Sequence, residues 1–418
     1  MSELLITEND FAPLSGGSVV PEVLHIEDCD LVAHGPPRDL AGLVELNIEG
    51  GKVDGPALQR WLAVCPDLSS LDVEGANLGE LSWRVLPRRL TSLSIRLGEL
   101  TRFTDPPATS GLMIIELTSC GLQSVELTPS LPGLQRISLA YNPDLRACPN
   151  LPWSAAPFTL DLRGCGLTAW PGVSGVEKVS ELDLSFNPVG RVPKEVQSWS
   201  SLSVLRMAEC AVTDLDEAVG TLSHLRELWL KDNALGQLPG GLAELSCLRV
   251  LDLSSCQLTE LPECVGQLHA LEALLLSENP LPRLPESILG MKNLRSLQLW
   301  KTGLVSLPAA LAGLDNLRQL ELSYNPLERL PDFRGLPALG YLGLCGLRAL
   351  DWQQGFDRLA ELQCVGQISF TNNDFETFDE RVFQIPGLKR IDANKTGVEG
   401  AEWQRYRERF PDVILWDG

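Results

Sequence analysis

Eleven cysteines and four histidines are the side chains in this 418-residue sequence best suited to nucleophilic or metal chemistry. A thiol attacks or ligates as its thiolate, which a neighbouring cation or base must favour, and a zinc site needs several donors converging on one point. His25, His34, His224 and His269 are too scattered to converge, except His25 with His34. There is no His-Glu-x-x-His and no glycine-rich loop ending in Gly-Lys-Ser/Thr, so two common devices, a zinc-binding helix and a phosphate cradle, are missing. The cysteines follow a different logic. Cys120, Cys165, Cys210 and Cys256 lie 45, 45 and 46 residues apart, a regularity that speaks of packing. Cys256 and Cys264 have carboxylates nearby, but both occupy positions of a repeat that packing already explains; Cys148, Cys345 and Cys364 are less explained by it. The expectation is no enzyme, no cofactor and no metal.

The element that holds these residues is a short repeat. Leu225 opens LRELWLKDNALGQLPGGLAELSC, and Leu248, 23 residues on, opens LRVLDLSSCQLTELPECVGQLHA. Both read L-x-x-L-x-L-x-x-(N/C)-x-L-x-x-L-P-x-x-L/V-x-x-L. The ninth position falls at Cys29, Gly51, Ala76, Gly98, Cys120, Asn142, Cys165, Asn187, Cys210, Asn233, Cys256, Asn279, Thr302, Asn325, Leu347, Asn373 and Thr396, seventeen repeats in all. Positions 4 and 6, such as Leu228 and Leu230, alternate with polar residues, the period of a short half-buried strand. Leu235, Leu238, Leu242 and Leu245 are expected to point inward from a return arc. Pro239, Pro262, Pro285 and Pro308 preset the backbone of that arc and bar strand pairing there. One repeat cannot bury its leucines alone, so repeats must stack coil upon coil.

This pattern resembles the leucine-rich-repeat family, in particular its 23-residue intracellular, Ras-group-like class, in which Leu-Pro opens the return segment. The resemblance implies an α/β solenoid, a horseshoe with a parallel β-sheet on its concave face and irregular, 3-10 or short helical convex segments. It also implies that the ninth side chain turns inward and bonds the backbone of neighbouring turns. Asparagine donates and accepts there, a thiol only weakly. Their alternation predicts a 46-residue super-repeat and makes Cys29, Cys120, Cys165, Cys210 and Cys256 core thiols. The predicted organisation is a lead-in or cap over 1–20, the array over 21–398, and a C-terminal cap over 399–418. In that cap EWQRYRERF reads as an amphipathic helix, with Trp403, Tyr406, Phe410 and Trp416 covering the last repeat. Between Leu347 and Asn373 the interval lengthens to 26, and Trp352, Gln353 and Gln354 interrupt the leucines.

Positions 3, 5, 7 and 8 do not build the core and are free for recognition. The early repeats place Glu27, Asp28, Glu45, Glu49, Asp72, Glu74 and Glu116 there, opposed mainly by Arg96 and His25; the last place Lys301, Lys389, Arg390 and Lys395 against Glu321 and Asp392. Between them come Tyr141, Phe186, Trp229, Lys231, Leu275, Trp300, Lys301, Tyr324 and Tyr341, the expected partner-binding residues. Trp229 and Trp300 are three repeats apart, about 14 Å at the usual strand spacing. Small Ser254, Ser255 and Ser277 leave room around Leu275, and Lys301 is placed to meet Tyr324 in a cation–π contact.

The net charge of −21 disfavours nucleic acid and anionic membrane as partners and suits a neutral or basic protein. MSELLITENDF carries acidic residues where an export signal carries basic ones, and no run of about 18 apolar residues follows. Unpaired cysteines spread through the chain suit a reducing cytoplasm. The leading expectation is therefore a cytoplasmic, monomeric, non-catalytic protein–protein interaction module, an adaptor or regulator binding a protein partner on its concave face. A bacterial effector acting on a host protein, or an immunity-type protein neutralising a basic toxin, are the alternatives. The Ala/Gly/Leu/Arg-rich, lysine-poor composition points to a bacterium with a GC-rich genome.

Overall fold

A computed structural model describes residues 2–16, 20–36, 40–107, 110–172, 175–375 and 377–417. Of the terminal segments expected at 1–20 and 399–418, residues 1, 17–19 and 418 therefore lie outside the described residues. The chain forms two compact units: an N-terminal unit of Met1–Gly190 with Ser198–Cys210, and a C-terminal unit of Arg191–Gln197 with Ala211–Gly418.

In the C-terminal unit each repeat contributes one short parallel strand. Glu227–Trp229 pairs with Val250–Asp252, which pairs with Ala273–Leu275, then Ser296–Gln298 and Gln319–Glu321. Tyr341–Gly343, Gln367–Ser369, Arg390–Asp392 and Ile414–Trp416 continue the same sheet. The register is one repeat per strand, Leu228 opposite Leu251 opposite Leu274, so every fourth-position leucine stacks on its equivalent. Leu228, Leu230, Leu251, Leu253, Leu274 and Leu276 are wholly buried. Each such burial is worth about 1.5–3 kcal/mol and is available only once a neighbour is in place. Leu238 is only half-buried, less inward than its place in the pattern suggests. The prolines expected to shape the return arc stand immediately before one-turn 3-10 helices: Pro239 before Gly240–Glu244, Pro262 before Glu263–Gln267, Pro285 before Glu286–Gly290. Their fixed φ supplies the extended residue that opens each turn.

The ninth position shows why asparagine alternates with cysteine or threonine. Asn279 Nδ2 donates to Leu253 O and Leu276 O, while its Oδ1 accepts from Cys256 N and Leu258 N of the preceding coil. Asn325 serves the Thr302 coil in the same way, and in the N-terminal unit Asn142 and Asn187 serve the coils of Cys120 and Cys165. The cysteine reaches only backwards: Cys256 Sγ donates to Leu230 O at 3.1 Å. One amide thus satisfies the backbone of two coils, and every second coil needs only a small filler.

The lengthened repeat replaces its 3-10 turn with the α-helix Trp352–Leu359, capped by Asp351, whose carboxylate accepts from Gln353 N and Gln354 N. Trp352 packs against Phe370 and Phe375, and Phe356 against Phe378. At the end of the unit the helix Gly400–Arg409 buries Trp403 and Tyr406, and Phe410 stacks on Phe383 at 4.5 Å. Trp416 departs from expectation. It lies on the edge strand Ile414–Trp416 with half its surface exposed, because strand alternation turns Leu415 toward the core and its neighbours outward.

The N-terminal unit is built likewise, from parallel strands that begin at Glu3–Ile6 paired with Val23–Glu27 and end at Val179–Asp183 paired with Val204–Arg206. Its early strands run five residues, as in Glu45–Glu49 and Ser70–Glu74. One early return segment is the α-helix Gly55–Leu62, and others form a second, three-stranded sheet of Asn77–Ser82, Glu99–Thr104 and Ser124–Val125. These substitutions of helix and strand for the 3-10 turn account for the irregular early spacing.

Candidate partner-binding surface

Position 8 of the repeat is where sequence and structure part most clearly. It does not lie on the strand but in a left-handed turn at the trailing end of it. In the C-terminal unit Asp232, Ser255, Glu278, Lys301, Tyr324, Asn372 and Lys395 all have φ between 55° and 64°; in the N-terminal unit Tyr141 (60°) and Phe186 (63°) do the same. This conformation crowds Cβ against the backbone and is sparsely used by residues other than glycine. Stacking imposes it: each eighth-position N–H bonds the seventh-position carbonyl of the next coil, Ser255 N to Ser277 O, Glu278 N to Trp300 O, Lys301 N to Ser323 O. The turn also swings the side chain clear of the core. Tyr141, Phe186 and Tyr324 are 47%, 47% and 41% exposed, whereas Trp229, Leu275, Trp300 and Tyr341, on or next to the strands, are half-buried.

In the C-terminal unit the structure brings Trp300, Lys301 and Tyr324 into direct contact. The two rings meet edge-to-face with centroids 6.0 Å apart. Lys301 makes its cation–π contact with Trp300, at 5.4 Å, and not with Tyr324 as the sequence suggested. The Glu278 carboxylate fixes the lysine there, Oε1 lying 3.2 Å from Nζ, while Oε2 accepts from Ser255 Oγ. Those two hydrogen bonds, from Lys301 and then Ser255, hold the Glu278 carboxyl below the usual glutamate range. The Tyr324 ring lies over Gly346, the eighth residue of the next coil. A Cβ at Gly346 would come 2.7 Å from the ring, and the backbone there is left-handed at 61°. Ser255, Glu278, Pro280, Lys301, Gly303 and Tyr324 line an open groove of about 580 Å³.

The remaining expected residues divide. Trp229 is anchored by its own strand, Nε1 donating to Glu227 Oε2 at 2.9 Å. Lys231 pairs with Asp232 at 3.4 Å. Tyr341 was expected to be an exposed recognition side chain; instead its hydroxyl donates to Glu321 Oε2 at 3.0 Å, and burial followed by that carboxylate pushes the phenol pKa up. Tyr141 and Phe186 belong to the N-terminal unit. The Tyr141 ring carries Arg163 at 5.6 Å and lies against Gly164, with the same eighth-position geometry as Tyr324 over Gly346.

Part of the acidity of the N-terminal unit is bound to cations across its strands, while Glu27, Asp28, Glu45 and Glu49 have no cation within ion-pair distance among the described residues. Arg96 joins Asp72 and Glu74, Arg136 joins Glu116, and Arg163 joins the buried Asp161 and also Asp183. Burial opposes ionisation of Asp161, but hydrogen bonds from Arg163 and Ser138 prevail and keep its pKa low. The core thiols are poorly placed for chemistry, since burial pushes Cys120, Cys165 and Cys256 up to about 12 and Cys210 to about 11. Cys148 is likewise raised to about 12 by burial, and Cys345 Sγ sits 3.0 Å from Ser369 Oγ. Among the described residues no group of three or more His, Cys, Asp or Glu side chains is arranged to hold a metal ion, and no helix is long and apolar enough to cross a membrane.

The sequence reading, confined to positions 3, 5, 7 and 8, passed over position 2. Arg226, Arg249, Arg295 and Arg318 occupy it, all exposed, at the leading end of successive strands with Glu272 in the middle. The repeat itself was the signal, since each arginine follows the leucine that opens its coil.

Residues 184–330 match the model of a family described as leucine-rich repeat region. No curated protein matches the sequence. Among solved structures, a leucine-rich-repeat protein of Leptospira interrogans aligns with a TM-score of 0.58 and 21% identity, over 94% of this chain and 89% of that one. An internalin from Listeria monocytogenes aligns at 0.55 and 15% identity, over 80% and 88%. TLR13, in a complex with ssRNA13, aligns at 0.56 and 17% identity, over 100% and 77%. At such identities the likeness is one of fold, and the fold is the leucine-rich-repeat solenoid.

Proposed function

We propose that the chain is a non-catalytic protein-binding module whose partner docks on the strand face and trailing-end turns of the C-terminal unit, around Leu275, Trp300, Lys301 and Tyr324, with Trp229 and Lys231 alongside. The observation that carries this reading is the contact group of Trp300, Lys301 and Tyr324. It sets two partly exposed rings and a cation beside an open groove, on residues that contribute nothing to the leucine core. Aromatic side chains ringed by small polar ones are where interface energy concentrates. The protein partner is preferred over nucleic acid because the chain carries −21. Free cysteines throughout support a reducing, cytoplasmic setting, and all eleven are unbridged. An adaptor or regulator is the simplest role for such a surface.

The test is affinity capture from the native organism followed by mass spectrometry, at low and moderate salt, with the wild-type chain and a Trp229→Ala/Trp300→Ala double variant. The double variant should lose its captured protein while unfolding close to wild type, within about 1 kcal/mol. Undiminished capture by the double variant would remove this surface from consideration.

A further inference from the structure

Deepening that reading, we infer that the partner lays an acidic, extended segment along the C-terminal unit, its carboxylates against the second-position arginines and an apolar side chain over Leu275. A chain of net charge −21 would ordinarily be assigned a basic partner. The local arrangement says otherwise. At the leading end of five consecutive strands stand Arg226, Arg249, Glu272, Arg295 and Arg318, four cations against one carboxylate. Glu272 is spent on the two central arginines: it lies 3.8 Å from Arg249 and hydrogen-bonds Arg295. Among the described residues no carboxylate lies within ion-pair distance of Arg226 or Arg318. These two outer guanidiniums stand four strand spacings, about 19 Å, apart.

Packing does not ask for arginine at this position. The coils of the N-terminal unit form with Val44, Ser69, Thr91 and Met113 there. Between the arginine row and the trailing-end turns the strand face is low and partly apolar, with Val250, Ala273 and Leu275 half-buried. Guanidiniums pair with carboxylates in two-pronged fashion and lose little side-chain freedom in doing so. Such contacts select partners and speed their encounter more than they add affinity. At the trailing end Glu278 occupies Lys301, and Asp232 is 3.4 Å from Lys231, so the two lysines are already neutralised and Arg226 and Arg318 are left as the cations of this stretch without a carboxylate partner.

The experiment selects short random displayed peptides on the full-length chain and measures their affinity by fluorescence anisotropy. Three variants are compared with wild type: Arg226→Glu/Arg318→Glu, Trp229→Ala/Trp300→Ala, and Asp412→Arg as a charge change elsewhere. Enriched peptides should combine Asp or Glu with a large apolar residue, weaken about tenfold or more on the arginine variant and on raising salt, and ignore Asp412→Arg. A circular-dichroism melt unchanged in the arginine variant excludes misfolding as the cause. Peptides that depend on the two tryptophans but are neutral or basic, or are indifferent to Arg226 and Arg318, would overturn this inference and leave the docking site standing. Peptides whose binding neither variant affects would sink both. A single-stranded RNA probe bound through these arginines more tightly than any acidic peptide would also overturn it, since the occupant would then be nucleic acid.

Discussion

At the scale of single residues, the asparagines of the ninth position do the most for the least mass. Asn279 closes four backbone groups that no other side chain reaches. Asn279→Ala should therefore cost about 3 kcal/mol or more, because buried amides and carbonyls lose partners, as read by chemical denaturation. Asn279→Cys discriminates more sharply. Cysteine is native in the coil before, yet here it would leave Cys256 N and Leu258 N unpaired, so the loss should approach that of alanine. Stability of the Asn279→Cys chain within about 0.5 kcal/mol of wild type, the range of a neutral surface change, would disprove the account of the alternation. The alternation itself was legible in the sequence, as was the inward direction of the side chain. That each asparagine serves the coil preceding it was not, since composition carries no direction along the stack.

At the scale of elements, strand positions followed directly from leucine spacing, because a two-residue period and a 23-residue recurrence leave one register that buries the leucines of positions 4 and 6. The return segments were less legible. The 3-10 turn, the helix Trp352–Leu359 and the second sheet of the N-terminal unit all satisfy the same need to bring the chain back, and local propensity chooses among them. Position 8 was misread for a related reason: its left-handed turn is imposed by the hydrogen bond to the next coil, and although Asp232, Asn372 and Gly346 suit that conformation, the Tyr, Phe, Lys, Glu and Ser of other coils carry no preference for it. The C-terminal helix lies where the sequence suggested one, and whether it caps the stack can be measured. Trp403, 2% exposed among Phe378 and Tyr406, fills the space next to the last strands. Trp403→Ala should cost about 3–5 kcal/mol. Because a stack loses its outermost coil first, hydrogen exchange should accelerate from residue 365 onward while protection around Leu251 and Leu274 persists. Uniform acceleration throughout the C-terminal unit would refute local capping.

At the scale of the whole molecule, the thiols report how the core is organised. Cys247 is exposed, while Cys29, Cys65, Cys120, Cys165, Cys210 and Cys256 are buried. Brief native treatment with a maleimide should label Cys247 first. The ninth-position cysteines should react only in denaturant, with mass spectrometry of peptides giving the order. Early native labelling of Cys120 or Cys256 would mean that the coils open far more readily than their close stacking implies. The charge is distributed unevenly: cross-strand ion pairs absorb part of the acidity of the N-terminal unit's strand face, and the arginine row is confined to the C-terminal unit. Total charge thus does not describe the local charge along these strands.

The recurring left-handed turn has a consequence for how this protein changes. Most coils offer, at the same point, one side chain swung clear of the core, as the variety from Asp232 through Lys301 to Tyr324 illustrates. Exchanging the occupant of one such slot rewrites a single letter of the displayed text and leaves the page intact, so new binding preferences are reachable in small, individually survivable steps.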